Sequence, residues 1–504
     1  MTDIVFINPG DRKSLYQSLG STLSAIEPPI WTGLLAEFAR LKGKRVLIID
    51  ANAEGLEPGE AADRAAASGA PLAVIVAYGQ NPSASTQVMP SAGAFARALR
   101  ERAPGVRSLM VGGHVAALPE RTLMEEEVDY ICGGEGPHTI VALQEALETP
   151  SPDFRKVPDL WFREEGKAAF TSPSPLISDL DREMPSLAWD LLPMELYRAH
   201  NWHCFGDIPR KPYASLYTTL GCPFHCTYCC IQAPFRNGER AQGMRRGINS
   251  YRYWSPEAVI AQIDMLVKRY GVKNIKIADE MFVFNRKHVT GLCDLILERG
   301  YDLNIWAYAR IDTMKGMAPL LKKAGVNWLC FGIESGSAAV RDDVKKKLDQ
   351  EQIIRTIEYV RSEGISVIAN YLFGLPEDNL ERMEETLALA LDLNCEFANF
   401  YCAMAYPGSQ LYETARHEGW PLPSEWSGYS QHAKGTLPLP TRYLTGAEVL
   451  AFRDEAFHRY HTNPRYLSMI TAKFGAATAE QIMEMASHRL ERDHVKEEPL
   501  WKKS

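Results

Sequence analysis

"YASLYTTLGCPFHCTYCC", Tyr213–Cys230, runs from an apolar, strand-like segment into a Gly/Pro-bearing loop that holds four of the chain's ten cysteines. Further strand-like runs follow it: "NIKIADE", "NIWAYARID", "NWLCFGIES", "SVIANYLFG" and "FANFYCAMA". Amphipathic helices such as "PEAVIAQIDMLVKRYG" and "EQIIRTIEYVRSEG" lie between them. Six strand–helix units predict a partial, TIM-like (β/α)6 barrel over 213–415, with its active rim at the strand carboxyl ends. The cysteine loop leaves the first of those strands.

Upstream, residues 1–150 alternate short continuous apolar runs ("DIVFINPG", "RVLIIDANAEG", "PLAVIVAYGQNPS", "SLMVGGHV", "VDYICGGEGP") with helical segments. That pattern predicts an α/β domain, a doubly wound, Rossmann-like parallel sheet covered on both faces. Its ligand rim would be lined by Asn8-Pro9-Gly10, Gln80 to Ser83, Gly112-Gly113-His114 and Gly133 to Gly136. Residues 151–212 show little period and read as a linker, with "DLWFREEGKAAF" as a hairpin. Residues 416–504 read as a mostly helical C-terminal region, in which Trp420, Trp426 and Tyr429 are candidates for a substrate cover.

Bulk composition narrows the function. The chain has 504 residues, 46% apolar and 23% charged, enough for several packed domains. Its net charge of −8 offers no overall basic field for nucleic acid or anionic lipid, and no apolar run approaches the ~18 residues of a membrane span. A cytoplasmic protein acting on a small molecule or metabolite is expected. Thiols stay reduced there, so clustered cysteines point to metal or redox work rather than disulfides.

Cys222, Cys226 and Cys229 form C-x3-C-x2-C. Three thiolates can hold three corners of a cubane iron–sulfur cluster and leave one iron open. Zinc is the competing reading, with His225 or Cys230 completing the set, although this chain has one cysteine cluster and no convincing second C-x2–4-C or H-x3–5-H half. Buried structural cysteines are the plainest alternative.

The trio, with Tyr228 before its last member and the barrel strand ahead of it, resembles the radical S-adenosylmethionine superfamily. "ADE" (Ala278–Glu280), "YARID" (to Asp312), "GIESGS" (Gly332–Ser337), "FGLPED" (Phe373–Asp378) and "YPGSQLYE" (Tyr406–Glu413) resemble the branch with an N-terminal cobalamin-binding domain. The resemblance implies a [4Fe-4S] cluster on Cys222, Cys226 and Cys229. It implies S-adenosyl-L-methionine on the open iron, cleaved to a 5′-deoxyadenosyl radical, with an electron donor such as flavodoxin or ferredoxin as partner. Tyr228, Glu280, Arg310, Glu334 and Ser335 are the candidate contacts to S-adenosylmethionine, Arg310 offering a fork to a carboxylate. "GGHVAALPE" and "DYICGGEG" resemble cobalamin-binding loops, which makes Gly112, Gly113, Gly133, Glu135 and Gly136 candidate cobalamin contacts. The D-x-H-x-x-G motif that supplies a cobalt-ligating His in older cobalamin domains is absent; His114 is the rim histidine that could serve as a lower ligand or have another role.

A C-methyltransferase acting on an unactivated carbon is the expected activity. An oxidative cyclase or ring-rearranging enzyme on the same scaffold is the second reading, and a non-catalytic cobalamin or iron–sulfur sensor comes from another class. The residues assign no catalytic acid or base.

Overall fold

The computed structural model describes residues 2–10, 17 and 24–495. Five strands, β1 (Ile4–Asn8), β2 (Val46–Asp50), β3 (Leu72–Val76), β4 (Arg107–Val111) and β5 (Tyr130–Cys132), pair in parallel in the order β2-β1-β3-β4-β5. Because successive strand side chains point to opposite faces, each continuous apolar run feeds two cores. Ile4, Phe6, Leu72 and Val74 pack with Trp31, Leu34 and Phe38 of the helix Ile30–Leu41. Val5, Ile7, Ala73 and Ile75 pack with Ala61, Ala65, Phe95 and Leu99 of the helices Pro58–Ser68 and Met89–Arg102. This is the expected doubly wound sheet, and order reverses between β1 and β3, where such folds open a ligand crevice.

The segment read as a linker is built into this domain. β6 (Leu160–Glu164) and β7 (Lys167–Phe170) form the expected hairpin, but β6 pairs antiparallel with β5 and extends the sheet to seven strands. Beyond it Leu176, Ile177, Met184, Trp189, Tyr197 and Trp202 are buried. The absence of period reflects short irregular turns wedged between two domains, not a loose connection.

The second sheet begins with β8 (Tyr213–Leu216). A two-stranded ribbon follows, β9 (Thr219–Gly221) against β10 (Tyr251–Tyr253). Then come β11 (Asn274–Ile277), β12 (Asn304–Ala309), β13 (Val326–Glu334), β14 (Ser366–Phe373) and β15 (Phe397–Cys402). The six strands other than the ribbon pair in parallel in the order β15-β14-β13-β12-β11-β8, the open six-stranded barrel expected. The crossover helix Pro256–Tyr270 is typical of its cover. Ser255 accepts from Ala258 N at 3.1 Å to start it, Gly271 at φ +64° ends it, and Val259, Ile263 and Leu266 face the sheet.

The C-terminal region is helical as expected, at Gly446–His461, Pro464–Phe474 and Ala476–Ser487; residues 496–504 of that expectation lie outside the described residues. These helices cover the β15 side of the barrel, where Tyr460 donates to Cys395 O at 2.6 Å. Trp426 stands edge-on to the His114 ring at 4.4 Å and under the Arg121 guanidinium at 4.4 Å, so this turn clasps the N-terminal domain. Among the described residues no helix is long and apolar enough to cross a membrane.

Candidate active site

The loop after β9 carries Cys222, Cys226 and Cys229, all partly exposed and none in a disulfide. Both ends are pinned by backbone chemistry. Gly221 has φ +87°, and a Cβ there would collide with the Ser250 carbonyl oxygen, so only glycine fits before the first thiol. Cys222 N donates to Gln232 Oε1 at 3.0 Å, and Asn249 Nδ2 donates to the carbonyls of Cys222 (3.0 Å) and Phe224 (2.7 Å). Gln232 is held in turn by Glu239 at 2.6 Å, whose Oε1 also accepts Ser250 N at 2.7 Å.

Burial pushes the Cys222 thiol up to about 12 and the Cys229 thiol well above its ordinary value. Such thiols are stable either protonated or bound to a cation that offsets the lost hydration. Among the described residues, no three His, Cys, Asp or Glu side chains are grouped to hold a metal ion. Three spaced thiols on one loop fit a cluster, which meets each of them at a different iron, better than a mononuclear zinc site.

Cys230 is buried, unlike the partly exposed trio. It lines a cavity where the rims of the two domains meet. Tyr78, Gly79, Asn81, Pro82, Ser85 and Gly113 form the N-terminal wall; the opposite wall includes Tyr217, Gly221, Ile231, Phe235 and Glu280. Trp31 stacks on Tyr78 at 4.2 Å and 11° and lies 6.1 Å from Phe235, so aromatic rings from both domains meet in the lining. The cavity marks the joint of the two rims. A Cβ on Gly113 would meet Ser85 at 3.5 Å and Pro234 at 4.0 Å, ordinary contact distances, so this position tolerates a small side chain at the cavity wall.

Among the described residues, Glu280 is the only charged side chain in the lining. Burial pushes its carboxyl up to about 7, with Lys276 opposing and Asp279 adding to the rise. Its neighbour Asp279 is structural: it accepts from Thr218 N (2.6 Å) and Thr219 N (3.1 Å), tying β11 to the turn before the cysteine loop.

The other expected contacts are distributed more widely. Arg310 forks onto Asp312, 2.9 Å on each arm, and lies 3.9 Å over the Phe224 ring of the cysteine loop. Glu334 takes the left-handed conformation, φ +68°, at a register shift between β13 and β14, and pairs with the buried Lys346. Burial and the Glu334 carboxylate raise the Tyr228 phenol well above its ordinary value, which sets both residues on the cluster side. Ser335 is turned away; its hydroxyl bonds Thr386 at 3.1 Å and accepts Ser337 N at 3.1 Å.

On the N-terminal rim, Gly112 packs against the Ala77 carbonyl, and Gly133 accepts from Asn237 Nδ2 at 2.8 Å. Gly136, at φ +116°, turns the chain into the helix Pro137–Leu147. Glu135 is engaged by Arg252 at 2.6 Å. His114 is buried, its Nδ1 3.2 Å from Thr86 Oγ1, and burial lowers it to about 3; it does not line the cavity. Of the ten expected cofactor contacts, then, Gly113 and Glu280 face the cavity. Sequence reasoning missed Trp31, Tyr217 and Phe235, whose apolar character reads as core; Tyr78 was findable, one residue ahead of the loop glycine that ends β3's run.

Comparison with known proteins agrees with this geometry. Residues 216–390 match the radical SAM superfamily model and residues 16–144 the B12 binding domain model. The chain is a radical S-adenosylmethionine protein with an N-terminal B12-binding domain. The cofactors of that class are a [4Fe-4S] cluster, S-adenosylmethionine and cobalamin.

An uncharacterized methyltransferase of Pyrococcus horikoshii is 27% identical, over 92% of this chain and 93% of its own length. An anaerobic magnesium-protoporphyrin IX monomethyl ester cyclase of Rubrivivax gelatinosus is 26% identical, over 81% of this chain and 69% of its own length. The fold matches the radical S-adenosylmethionine methyltransferase TsrM of Kitasatospora setae, solved with cobalamin and a [4Fe-4S] cluster. That match has a TM-score of 0.66 at 15% identity, over 96% of this chain and 99% of that one. OxsB, a cobalamin-dependent S-adenosylmethionine radical enzyme, matches with a TM-score of 0.68 at 16% identity, over 96% of this chain and 72% of that one.

Proposed function

We propose that the protein is a C-methyltransferase that transfers a methyl group to an unactivated carbon of a metabolite held between the two domain rims. The observation that carries this reading is the joint cavity itself, with Gly113 of the B12-binding domain on one wall and Glu280 and Cys230, beside the cysteine trio, on the other. When bound, the cluster with S-adenosylmethionine supplies a carbon-centred radical, and cobalamin supplies a methyl carrier.

The chain's own residues provide position and dryness. Cys222, Cys226 and Cys229 hold the cluster. Trp31, Tyr78, Tyr217 and Phe235 exclude water from the reacting centre. Glu280, balanced near neutrality, can hold an ammonium group or take a proton at its carboxylate. Arg310 can serve a cofactor carboxylate once it releases Asp312, and Glu334 with Lys346 and Tyr228 forms a polar edge beside the trio.

Ring closure is the second reading, favoured by the similarity to the Rubrivivax gelatinosus cyclase. Incubating the reconstituted protein with methyl-deuterated S-adenosylmethionine, a reductant and candidate metabolites separates the two. A product carrying the labelled methyl on carbon supports transfer. An unlabelled product with one more ring supports cyclisation, and no 5′-deoxyadenosine under any condition removes both.

A further inference from the structure

Between Phe224 and Tyr253 the chain carries five arginines and a single acid, Glu239, in a protein of net charge −8. Glu239 is buried and committed to Gln232 and Ser250. Arg252 is committed to Glu135. The other four, Arg236, Arg240, Arg245 and Arg246, are exposed, and none of them makes an ion pair or side-chain hydrogen bond among the described residues. Arg236 and Arg240 lie four apart on the helix Arg236–Ala241, whose Asn237 and Gly238 face inward; Arg245 and Arg246 sit on the turn that leads to Asn249.

That turn touches the cysteine loop directly, through the Asn249 bonds to Cys222 O and Phe224 O. Beside it an apolar patch is left in water. Phe284 is 42% exposed, Tyr253 52% and Ile248 53%. Phe284 packs edge-on to Phe224 at 5.8 Å and to Tyr251 at 5.3 Å, and Tyr253 shares the Tyr251 face of β10. His225, between the first two cysteines of the trio, is also exposed, so the surface comes within one residue of the thiols.

Unpaired arginines beside exposed aromatics, isolated on an acidic protein, are the composition of a docking site for an acidic partner. We propose that this face receives a small acidic one-electron carrier protein, a flavodoxin or ferredoxin, which delivers its electron through the Phe224–Cys226 loop. The proposal rests on the reading of the trio as cluster ligands. The carrier loses one electron and the cluster gains it; no bond is made or broken.

The test titrates an acidic flavodoxin against the full chain at low and high salt, comparing wild type with Arg240→Glu/Arg245→Glu/Arg246→Glu. The expected result is at least about tenfold weaker binding for the variant at low salt, with most of the difference lost at high salt. On reconstituted protein, 5′-deoxyadenosine formation should fall to the same extent with reduced flavodoxin and stay unchanged with reduced methyl viologen, a small cation. Arg245→Gln/Arg246→Gln should lie between. Equal affinity of wild type and variant, equal loss with both reductants, or capture of an RNA oligonucleotide instead of flavodoxin by the patch overturns the proposal. If methyl viologen supports no cleavage even in wild type, the cluster reading fails while the binding titration still decides the docking face.

Discussion

Arg252 Nη2 donates to Glu135 Oε1 at 2.6 Å, joining the ribbon beside the cysteine loop to the Gly-Glu-Gly turn of the N-terminal domain. Ile177 N, from the segment between the domains, donates to the same carboxylate at 3.2 Å. This buried ion pair joins the two rims, alongside the buried Lys276–Glu27 pair at 2.8 Å and the Asn237 bond to Gly133 O.

Removing one partner leaves a buried charge unpaired. Arg252→Ala should cost about 3 kcal/mol in urea unfolding, whereas Glu135→Gln/Arg252→Met should recover most of it. A double variant as unstable as the single one would show that the pair does not join the domains.

Glycines at two positions separate folding from binding. Gly221→Ala forces a β-carbon into Ser250 O at a left-handed position, so it should abolish iron loading of the trio while the N-terminal sheet persists. Gly113→Ala places a Cβ at ordinary contact distance from Ser85 and Pro234 on the cavity wall; it should leave the thermal midpoint nearly unchanged, and the longer Gly113→Leu should weaken cobalamin binding about tenfold or more, read by equilibrium dialysis.

Glu280 makes a pH-dependent contribution with a definite sign. Its folded pKa, about 7, exceeds the ordinary value of 4.5, so between these pH values the folded state binds more protons than the unfolded. This contribution is fully present below about pH 4.5 and is lost as pH rises through 7. Glu280→Gln should therefore gain stability relative to wild type over that window, in paired urea titrations. A constant difference across pH 4.5 to 7.5 would place the carboxyl in water.

The strands of both sheets were legible because each is a continuous apolar run buried on two faces. The cysteine loop was legible because its spacing is chemically specific. The edge hairpin β6–β7 was visible as a hairpin but not as part of the sheet, since its pairing with β5 is a long-range fact that local period does not encode. The same limit explains Glu135 and Ser335: position at a turn or strand end marks a polar residue as available, and only packing reveals that Arg252 and Thr386 have already engaged them. Trp31 illustrates the converse, an apolar helix residue whose ring serves both the core and the cavity wall.

Cys222, Cys226 and Cys229 are proposed as the ligands of one open-cornered cluster. The direct measurement is metal and sulfide content, with 5′-deoxyadenosine yield, of anaerobically reconstituted wild type and of Cys222→Ala/Cys226→Ala/Cys229→Ala. About four iron and four sulfide per chain in wild type, and neither cluster nor cleavage in the variant, is the predicted result. Zinc in place of iron in wild type, or a cluster and nucleoside cleavage surviving in the variant, would contradict it.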